Sequence, residues 1–246
     1  MNERNIKLEL MYDGTAYHGF QRQKNGITIQ ECVENAIKKL TGENAVLYGC
    51  GRTDAGVHAE SYTANFHSVC RIPCENLPAA LNTVLPDDIR VFAAADVSPE
   101  FHSRYGAVEK TYAYRIYTGR VQDVFERNYS WFFPSEPDLT EMRRAAAHFL
   151  GEHDFKAFMS SGSPRKTTVR KITEIKVGKE GELFEIEISA NGFLYNMVRI
   201  IAGTLIYVGC GRIKADDIPG IIASGERVRA GVTAPPQGLR LKKILY

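Results

Sequence analysis

The sequence predicts an α+β fold built from two tandem ferredoxin-like units, each with the element order β-α-β-β-α-β. Two observations support this prediction. Strand and helix patterns follow one another in the same order in both halves of the chain, and its 246 residues suffice for two units of roughly 100–150 residues each. We expect the first unit to cover residues 1–104 and the second residues 105–246, with their sheets side by side around a central cleft.

The first unit begins with a strand over Ile6–Tyr12, where charged and apolar residues alternate before a turn. A helix follows over Thr28–Leu40, because its apolar residues recur at helical spacing. Thr28 is a suitable N-cap, Glu31 completes a capping box three residues later, and Gly42 lies just past the end. The remaining elements are two strands, a short helix and a strand, over Ala45–Gly49, Ser61–Ser68, Leu77–Leu85 and Ile89–Val97.

The second unit repeats this pattern, beginning with a strand over Val108–Thr118 that is rich in tyrosine and threonine. Such residues are favoured on a pleated surface. Asp138 is predicted to cap a helix that extends to Leu150, with Glu141 at its third position. The remaining elements are a hairpin of Val169–Val177 and Leu183–Ala190, helices over Asn196–Val208 and Ile218–Ala223, and a closing strand over Leu239–Leu245.

The bulk composition is that of an ordinary globular protein, with 44% hydrophobic residues, 24% charged residues and a formal net charge of only +2. Any positive charge that serves RNA must therefore be concentrated on one face. The charged first residues do not resemble a signal peptide, and no apolar run approaches the roughly 18–20 residues needed to span a bilayer. Five cysteines without framework spacing indicate reduced thiols, so we expect a cytoplasmic protein.

The segment Gly51–Ala59, between two predicted strands, holds more reactive side chains than a hairpin turn requires. Its two glycines allow unusual backbone angles, and Arg52, Asp54 and His58 crowd around them. Loops held on a rigid sheet are a common location for reactive groups. Taken alone, the segment is compatible with a catalytic loop or with a structural turn in which Asp54 makes an Asx contact.

A family resemblance gives this segment a specific interpretation. Arg52-Thr53-Asp54-Ala55-Gly56-Val57-His58-Ala59 resembles the signature of the TruA family of tRNA pseudouridine synthases, in which the aspartate is the catalytic nucleophile. The resemblance extends in order over essentially the whole chain. The other matching segments are Tyr12–Gln23, Phe101–Arg104, Lys110–Tyr112, His153–Phe155, Asn191–Arg199 and Ala234–Leu239.

The resemblance implies an isomerase that breaks the N-glycosidic bond of a uridine and rejoins the ribose to C5 of the same base. This reaction involves no net redox change, and the chain has no P-loop and no G-x-G-x-x-G fingerprint, so no cofactor or metal is expected. Asp54 would be the nucleophile, because a carboxylate can attack and later leave. Attack on the sugar, attack on C6 of the base and a glycal route all remain open, and each assigns the central role to Asp54.

The same resemblance implies roles for other residues. Arg199 would pair with Asp54 and orient it, which favours the ionised carboxylate. Tyr112 would stack on the target uracil or take part in proton transfer at C5. Arg52 would grip a phosphate or keep the target nucleotide out of its stack. His58 is a further candidate for substrate binding, and a structural role for it is equally open.

Two polar, basic loops suggest a path for the RNA. One follows the first strand and contains Arg22 and Lys24, and the other, residues 160–168, contains Arg165 and Lys166. Such loops are suited to binding a folded RNA by its phosphates and shape. The alternative is that both are solvated surface loops.

The resemblance further implies a homodimer that binds one tRNA across both subunits and modifies the anticodon stem-loop at nucleotides 38, 39 and/or 40. Two alternatives remain: the same chemistry on a different RNA, and a non-catalytic RNA-binding module. The joint presence of Asp54, Tyr112 and Arg199 argues against the second, because a pure binder does not need all three.

Overall fold

The computed structural model describes residues 3–162 and 167–246. These residues form ten β-strands and five α-helices, so the predicted α+β class is confirmed. The chain divides into two compact units: the first runs to Val108 and takes in Leu241–Tyr246, and the second is Glu109–Arg240. The boundary expected at residue 104 lies close to this break, whereas residues 241–246, expected in the second unit, group with the first.

The first unit has the predicted ferredoxin-like element order. Its strands pair antiparallel in the order β4-β1-β3, and β2 also pairs with β3. Its elements are β1 (Arg4–Tyr12), α1 (Ile29–Thr41), β2 (Tyr48–Gly49), β3 (His58–Ser68), α2 (Leu77–Asn82) and β4 (Ile89–Val97).

The core of the first unit follows from the two periodicities of its sequence. Alternate residues of β1 are fully buried, as are residues of α1 at helical spacing. Burying one such side chain stabilises the fold by about 1.5–3 kcal/mol. These core residues are Ile6, Leu8, Leu10, Ile29, Val33 and Ile37.

Helix α1 begins and ends at the predicted caps. Thr28 Oγ1 accepts a hydrogen bond from the Glu31 amide at 3.3 Å, and Gly42, at φ 77°, donates its amide to the Lys38 carbonyl. The Glu31 carboxylate, predicted to complete a capping box, instead accepts a hydrogen bond from Arg22 Nη1 at 3.1 Å.

In the second unit an antiparallel sheet runs in the order β5-β9-β8-β7, and β6 pairs parallel with β5. β6 and β7 were not predicted, because two and four residues are too short to show a strand periodicity. The elements are β5 (Glu109–Tyr117), β6 (Trp131–Phe132), α3 (Leu139–Ala147), β7 (Gly151–Asp154), β8 (Val169–Glu180), β9 (Leu183–Ala190), α4 (Met197–Gly209) and α5 (Ile218–Ser224). β10 (Leu239–Leu245) begins in this unit and continues into the first.

The predicted hairpin and the long apolar helix of the second unit are confirmed. β8 and β9 are joined through Gly181, whose φ of 57° suits a tight turn. α4 is apolar around most of its circumference, and ten of its thirteen residues are buried. Such a helix belongs in the interior of a unit.

The predicted strand over Ala45–Gly49 is shorter than expected, since only Tyr48 and Gly49 join the sheet. Side chains of α1 bind the backbone just before them. The Leu47 amide donates to Glu34 Oε1 at 3.0 Å, and the Leu47 carbonyl accepts from Gln30 Nε2 at 3.1 Å. With both backbone groups satisfied locally, Leu47 has no need of a strand partner.

None of the helices formed by residues 3–162 and 167–246 is long and apolar enough to cross a membrane.

Candidate active site

The loop Gly51–Val57 joins β2 to β3 and carries Asp54. Its backbone turns at Gly56, whose φ of 76° is a left-handed conformation that glycine reaches without steric cost. Thr53 and Val57 are buried, while Asp54 is half-buried. The carboxylate therefore belongs to a loop that is anchored on both sides of it.

Main-chain hydrogen bonds fix the backbone around Asp54. The Phe20 amide donates to the Thr53 carbonyl at 3.2 Å, and the Gly56 amide donates to the Tyr17 carbonyl at 3.3 Å. Within the loop, the Val57 amide donates to the carbonyl of Asp54 itself at 3.2 Å. The segment after β1 thus binds the loop that carries Asp54 both before and after the aspartate.

Two glycines let this segment approach the loop closely. A Cβ on Gly14 would lie 2.1 Å from the Val57 carbonyl oxygen. Gly19 has a φ of 84°, and a Cβ there would lie 2.5 Å from the Thr53 carbonyl oxygen. Both contacts are with backbone, which cannot move aside as a flexible side chain could. The glycines of the Tyr12–Gln23 motif therefore have a structural reason: they brace the loop that carries Asp54.

Buried tyrosines complete the support of the loop. Tyr62 is fully buried and stacks on Phe20, with ring centroids 4.2 Å apart. Its hydroxyl donates to the Gly51 carbonyl and accepts from the Gly51 amide at 3.3 Å. The Tyr12 hydroxyl lies 2.8 Å from Thr53 Oγ1, and both groups are buried.

His58 is buried at the start of β3, and its contacts brace the turn after β1. Nδ1 accepts a hydrogen bond from the Gly14 amide at 3.0 Å and lies 3.1 Å from Asp13 Oδ1. One nitrogen cannot accept from Gly14 and donate to Asp13 at once, so the Gly14 bond belongs to a ring whose proton is on Nε2. Contact between His58 and the substrate stays a prediction.

The predicted RNA-binding cations differ in their surroundings. Arg52 and Lys24 are exposed. Arg22 is paired with Glu34 at 2.6 Å and with Glu31 at 3.1 Å, and the hydrogen bond to Glu34 raises the pKa of the guanidinium. The Arg22 side chain is 46% exposed but that of Glu34 only 12%, so RNA phosphates would have to compete with a partly buried carboxylate for the guanidinium. The other two predicted cations, Arg165 and Lys166, lie outside the described residues.

Tyr112 lies in β5, opposite Ile188 of β9. It is half-buried, and its ring meets Phe193 edge to face, with centroids 5.2 Å apart and planes at 88°. The motif residue Phe193 therefore fixes the orientation of the tyrosine ring.

Arg199 lies in the first turn of α4 and is half-buried. Its Nε donates to the Ala234 carbonyl at 2.7 Å, and its Nη1 donates to Asn196 Oδ1 at 2.8 Å. The guanidinium is thus held at two points rather than reaching freely into solvent, as an arginine on an apolar helix often does.

The segment that binds Arg199 Nε is itself tied to α4. The Ala234 amide donates to the Arg199 carbonyl at 3.1 Å, and the Gly231 amide donates to Thr204 Oγ1 at 2.9 Å. A Cβ on Gly203 would lie 2.0 Å from the Val232 carbonyl oxygen, so a glycine is required for this approach.

Tyr114 anchors the next residue of this segment by donating its hydroxyl to the Pro235 carbonyl at 2.7 Å. Burial raises the pKa of Tyr114 well above its ordinary value, which keeps this hydroxyl protonated as a donor.

Within residues 3–162 and 167–246, no group of three or more His, Cys, Asp or Glu side chains is placed to hold a metal ion. Cys32, Cys50, Cys70, Cys74 and Cys210, which all lie in this part of the chain, are thiols and form no disulfide with one another.

Residues 10–106 and 145–246 match the family model described as tRNA pseudouridine synthase. The chain belongs to the tRNA pseudouridine synthase family. The assignment made from the motifs is confirmed, and with it the enzyme class, an isomerase. Asp54 lies in the first matched range and Arg199 in the second, whereas Tyr112 lies in the unmatched stretch between the two ranges.

The chain is similar to curated proteins over their whole lengths. A tRNA pseudouridine synthase A of Thermoanaerobacter sp. (strain X514) is 51% identical over 243 residues, which cover 99% of this chain and 100% of the relative. The enzyme of the same name from Caldicellulosiruptor bescii is 49% identical, with the same coverage. A tRNA pseudouridine synthase A 2 of Clostridium perfringens is 48% identical, again with 99% and 100% covered.

The motifs single out Asp54, Tyr112 and Arg199 as candidate reactive residues, but they do not indicate which residues hold these side chains. Tyr62, Asn196 and Ala234 were assigned no role, although the last two lie in segments that carried the family resemblance. An asparagine at the start of a helix is typical of an ordinary N-cap, so its residue type does not indicate the contact that Asn196 makes with Arg199.

Proposed function

We propose that this protein converts uridine to pseudouridine in the anticodon stem-loop of tRNA, at nucleotides 38, 39 and/or 40, with Asp54 as the nucleophile. The observation that supports this most is the fixation of the Asp54 loop, whose backbone is hydrogen-bonded at Thr53, at Asp54 and at Gly56. A nucleophile that must attack and later leave benefits from such pre-organisation.

The proposal does not specify the first chemical step in which Asp54 takes part. Asp54 could attack C1′ of the ribose, attack C6 of the base, or act through a glycal. In each route the N-glycosidic bond breaks, the uracil turns, and C5 bonds to the ribose, while the C5 proton is lost and N1 takes up a proton in its place. The chain must therefore hold a detached uracil and accept one proton.

Arg199 is proposed to pair with Asp54 and orient it during the reaction. A nearby fixed cation favours the ionised carboxylate, which is the nucleophilic form. The two hydrogen bonds to Ala234 and Asn196 support this role, because they hold the guanidinium in one orientation.

Tyr112 is proposed to stack on the target uracil or to take part in proton transfer at C5. Its half-buried ring, held edge to face by Phe193, supports this assignment. Stacking on one aromatic ring would compensate for the stacking that the uridine loses when it leaves the RNA helix.

RNA binding is proposed for Arg52, Lys24, Arg22, Arg165, Lys166 and His58. The exposed Arg52 lies two residues before Asp54, where a cation could grip the phosphate of the flipped nucleotide. We also propose that the active species is a homodimer in the cytoplasm that binds one tRNA across both subunits.

The proposal is tested by single-turnover conversion of a tRNA transcript, with pseudouridine mapped by position. We expect Asp54→Asn and Asp54→Ala to abolish conversion while tRNA affinity and melting temperature stay near the wild-type values. The matched control is Asp87→Asn, which changes an exposed aspartate paired with Arg90 and should keep full activity.

Conversion by Asp54→Ala well above background would remove Asp54 as the nucleophile. Conversion only of another RNA would keep the chemistry and overturn the substrate. Tight tRNA binding without any conversion by the wild type would favour a non-catalytic binding module.

A further inference from the structure

Asn196 has an unusual backbone conformation. Its φ of 61° lies in the left-handed region, and it is the only non-glycine residue with a positive φ in the described part of the chain. L-residues adopt this conformation at an energetic cost, although asparagine tolerates it better than most. Strain of this kind concentrates at functional sites, where the surrounding structure maintains it.

The side chain of Asn196 does not make the hydrogen bond that is usual for an asparagine at the start of a helix. An asparagine at a helix N-cap normally accepts a hydrogen bond from an amide of the first turn. At the N-cap of α4 the Asn196 side chain makes no such bond. Its Oδ1 instead accepts from Arg199 Nη1 at 2.8 Å, and its Nδ2 donates to Ser160 Oγ at 3.0 Å.

The contact with Arg199 follows from side-chain chemistry. A guanidinium carries only donors, so it requires the carbonyl oxygen of the asparagine, which leaves the amide nitrogen to donate to Ser160. Arg199 is then held on one edge by a backbone carbonyl, that of Ala234, and on another by Asn196. A long side chain that is fixed at two points loses most of its freedom to misalign.

We propose that Asn196 is a positioning residue for Arg199: it adopts a strained backbone conformation so that its carboxamide can aim the guanidinium. This inference rests on the role proposed for Arg199 in pseudouridine formation. The competing explanation is that Asn196 serves only the backbone turn at the start of α4. The two explanations differ in what glycine would do at this position.

The experiment compares Asn196→Gly with Asn196→Ala in single-turnover conversion of a tRNA transcript at saturating enzyme. Glycine accepts the left-handed backbone and alanine does not, while both lack the carboxamide. We expect both variants to convert about 10-fold more slowly, as fits the loss of one charged hydrogen bond, with tRNA affinity unchanged. Only Asn196→Ala should melt clearly below the wild type.

Two further variants sharpen the comparison. Asp138→Ala removes the N-cap of α3, whose carboxylate accepts from the Thr140 and Glu141 amides, and should lower the melting temperature without slowing conversion. In an Arg199→Lys background, Asn196→Gly should slow conversion much less than about 10-fold, because residues that act through one another are not additive.

A wild-type rate for Asn196→Gly would overturn the proposal, and so would a full 10-fold loss in the Arg199→Lys background.

A readout independent of activity is the ¹⁵N NMR signal of Arg199 Nε, assigned by its absence in Arg199→Lys. We expect Asn196→Gly to shift and broaden this signal. If wild-type enzyme proved inactive on tRNA while the signal still responded, the proposed function would fail and the positioning role would stand. An unchanged signal would overturn the positioning role.

Discussion

Asp54 and Arg199 are held in opposite ways. The Asp54 loop is fixed through its main chain, by amide and carbonyl bonds to Tyr17 and Phe20 and by the close approach of Gly14 and Gly19. Arg199 lies on a helix, and its main chain is placed by that helix and by one bond from the Ala234 amide to the Arg199 carbonyl. The guanidinium needs further support, and it comes from bonds to the side chain, made by Asn196 and the Ala234 carbonyl.

The difference follows from the lengths of the two side chains. An aspartate has one carbon between its backbone and its carboxylate, so a fixed backbone almost fixes the reactive group. An arginine has several rotatable bonds, so a fixed backbone leaves the guanidinium free unless other groups bind it. Substitutions that move the main chain should therefore damage the function of Asp54, and substitutions that remove side-chain partners should damage that of Arg199.

Among the variants that test this comparison, Gly19→Ala should have the largest effect. Alanine at φ 84° is strained, and its Cβ would lie 2.5 Å from the Thr53 carbonyl oxygen, so the Asp54 loop must move. We expect a loss of about 2–4 kcal/mol in the free energy of unfolding and a fall of about 100-fold in the single-turnover rate. Urea unfolding and pseudouridine formation measure the two effects.

The matched control is Gly42→Ala. Gly42 also has a positive φ, of 77°, but a Cβ there would meet nothing within 4 Å. This variant should be less stable than wild type but equally active at a temperature where it is folded. If both variants lost activity equally, general destabilisation rather than displacement of the Asp54 loop would be the cause.

Arg199→Lys should have the second largest effect. Lysine keeps the positive charge but cannot bind the Ala234 carbonyl and Asn196 Oδ1 with two nitrogens of one rigid plane. We expect conversion about 50-fold slower with tRNA affinity nearly unchanged, because about 1.5–3 kcal/mol is typical of a hydrogen bond to a charged group. A lysine variant with the wild-type rate would show that charge alone suffices.

Tyr62→Phe should have a smaller effect. The phenyl ring keeps the stack on Phe20 but loses the hydroxyl that binds both backbone groups of Gly51. We expect a loss of about 1–2 kcal/mol in stability and a rate about 5-fold lower. Tyr117→Phe, which removes an exposed hydroxyl bonded to Glu182, is the control and should leave the rate unchanged. An unchanged rate in Tyr62→Phe would show that the hydrogen bonds between Tyr62 and Gly51 do not help to position Asp54.

The smallest expected effect is the contribution of the Tyr17 hydroxyl to stability at high pH. The pKa of Tyr17 is raised by burial and by its hydrogen bond to Asp88. Above the ordinary tyrosine pKa of about 10, the unfolded chain loses this proton while the folded chain keeps it, so the unfolded state binds fewer protons and stability falls as the pH rises.

The stability that the Tyr17 hydroxyl contributes should therefore be complete below about pH 9 and should diminish towards pH 11. The difference in unfolding free energy between the wild type and Tyr17→Phe, measured in urea at several pH values, isolates this contribution. If the difference in unfolding free energy did not change with pH, burial and the hydrogen bond to Asp88 would not be raising the pKa of Tyr17.

The elements with strong local signals could be predicted from the sequence. The caps of α1, the apolar stretch of α4 and the turn at Gly181 each have a cause within a few residues of chain. The length of β2 could not be predicted, because it depends on Gln30 and Glu34 reaching the backbone of Leu47 from a helix.

The same distinction applies to the candidate site. Asp54, Tyr112 and Arg199 could be proposed from the sequence because each lies in a recognisable motif. Several of the supporting groups come from distant parts of the chain, as when Ala234 binds Arg199 across 35 residues, and no local pattern connects these to the residues they hold. Asn196 shows most clearly what residue type cannot predict. An asparagine at the start of a helix is expected to cap it, but here the backbone is left-handed and the side chain makes no capping hydrogen bond.

The central claim is that Asp54 of this protein isomerises uridines of the tRNA anticodon stem-loop. It is tested most directly by carbodiimide-based mapping of pseudouridine in total cellular RNA, from cells that lack the gene and carry either the wild type or Asp54→Asn. We predict that pseudouridine disappears only from nucleotides 38, 39 and/or 40 of tRNAs, and that the wild type alone restores it. Restoration by Asp54→Asn, or no lost site in cells without the gene, would contradict the claim.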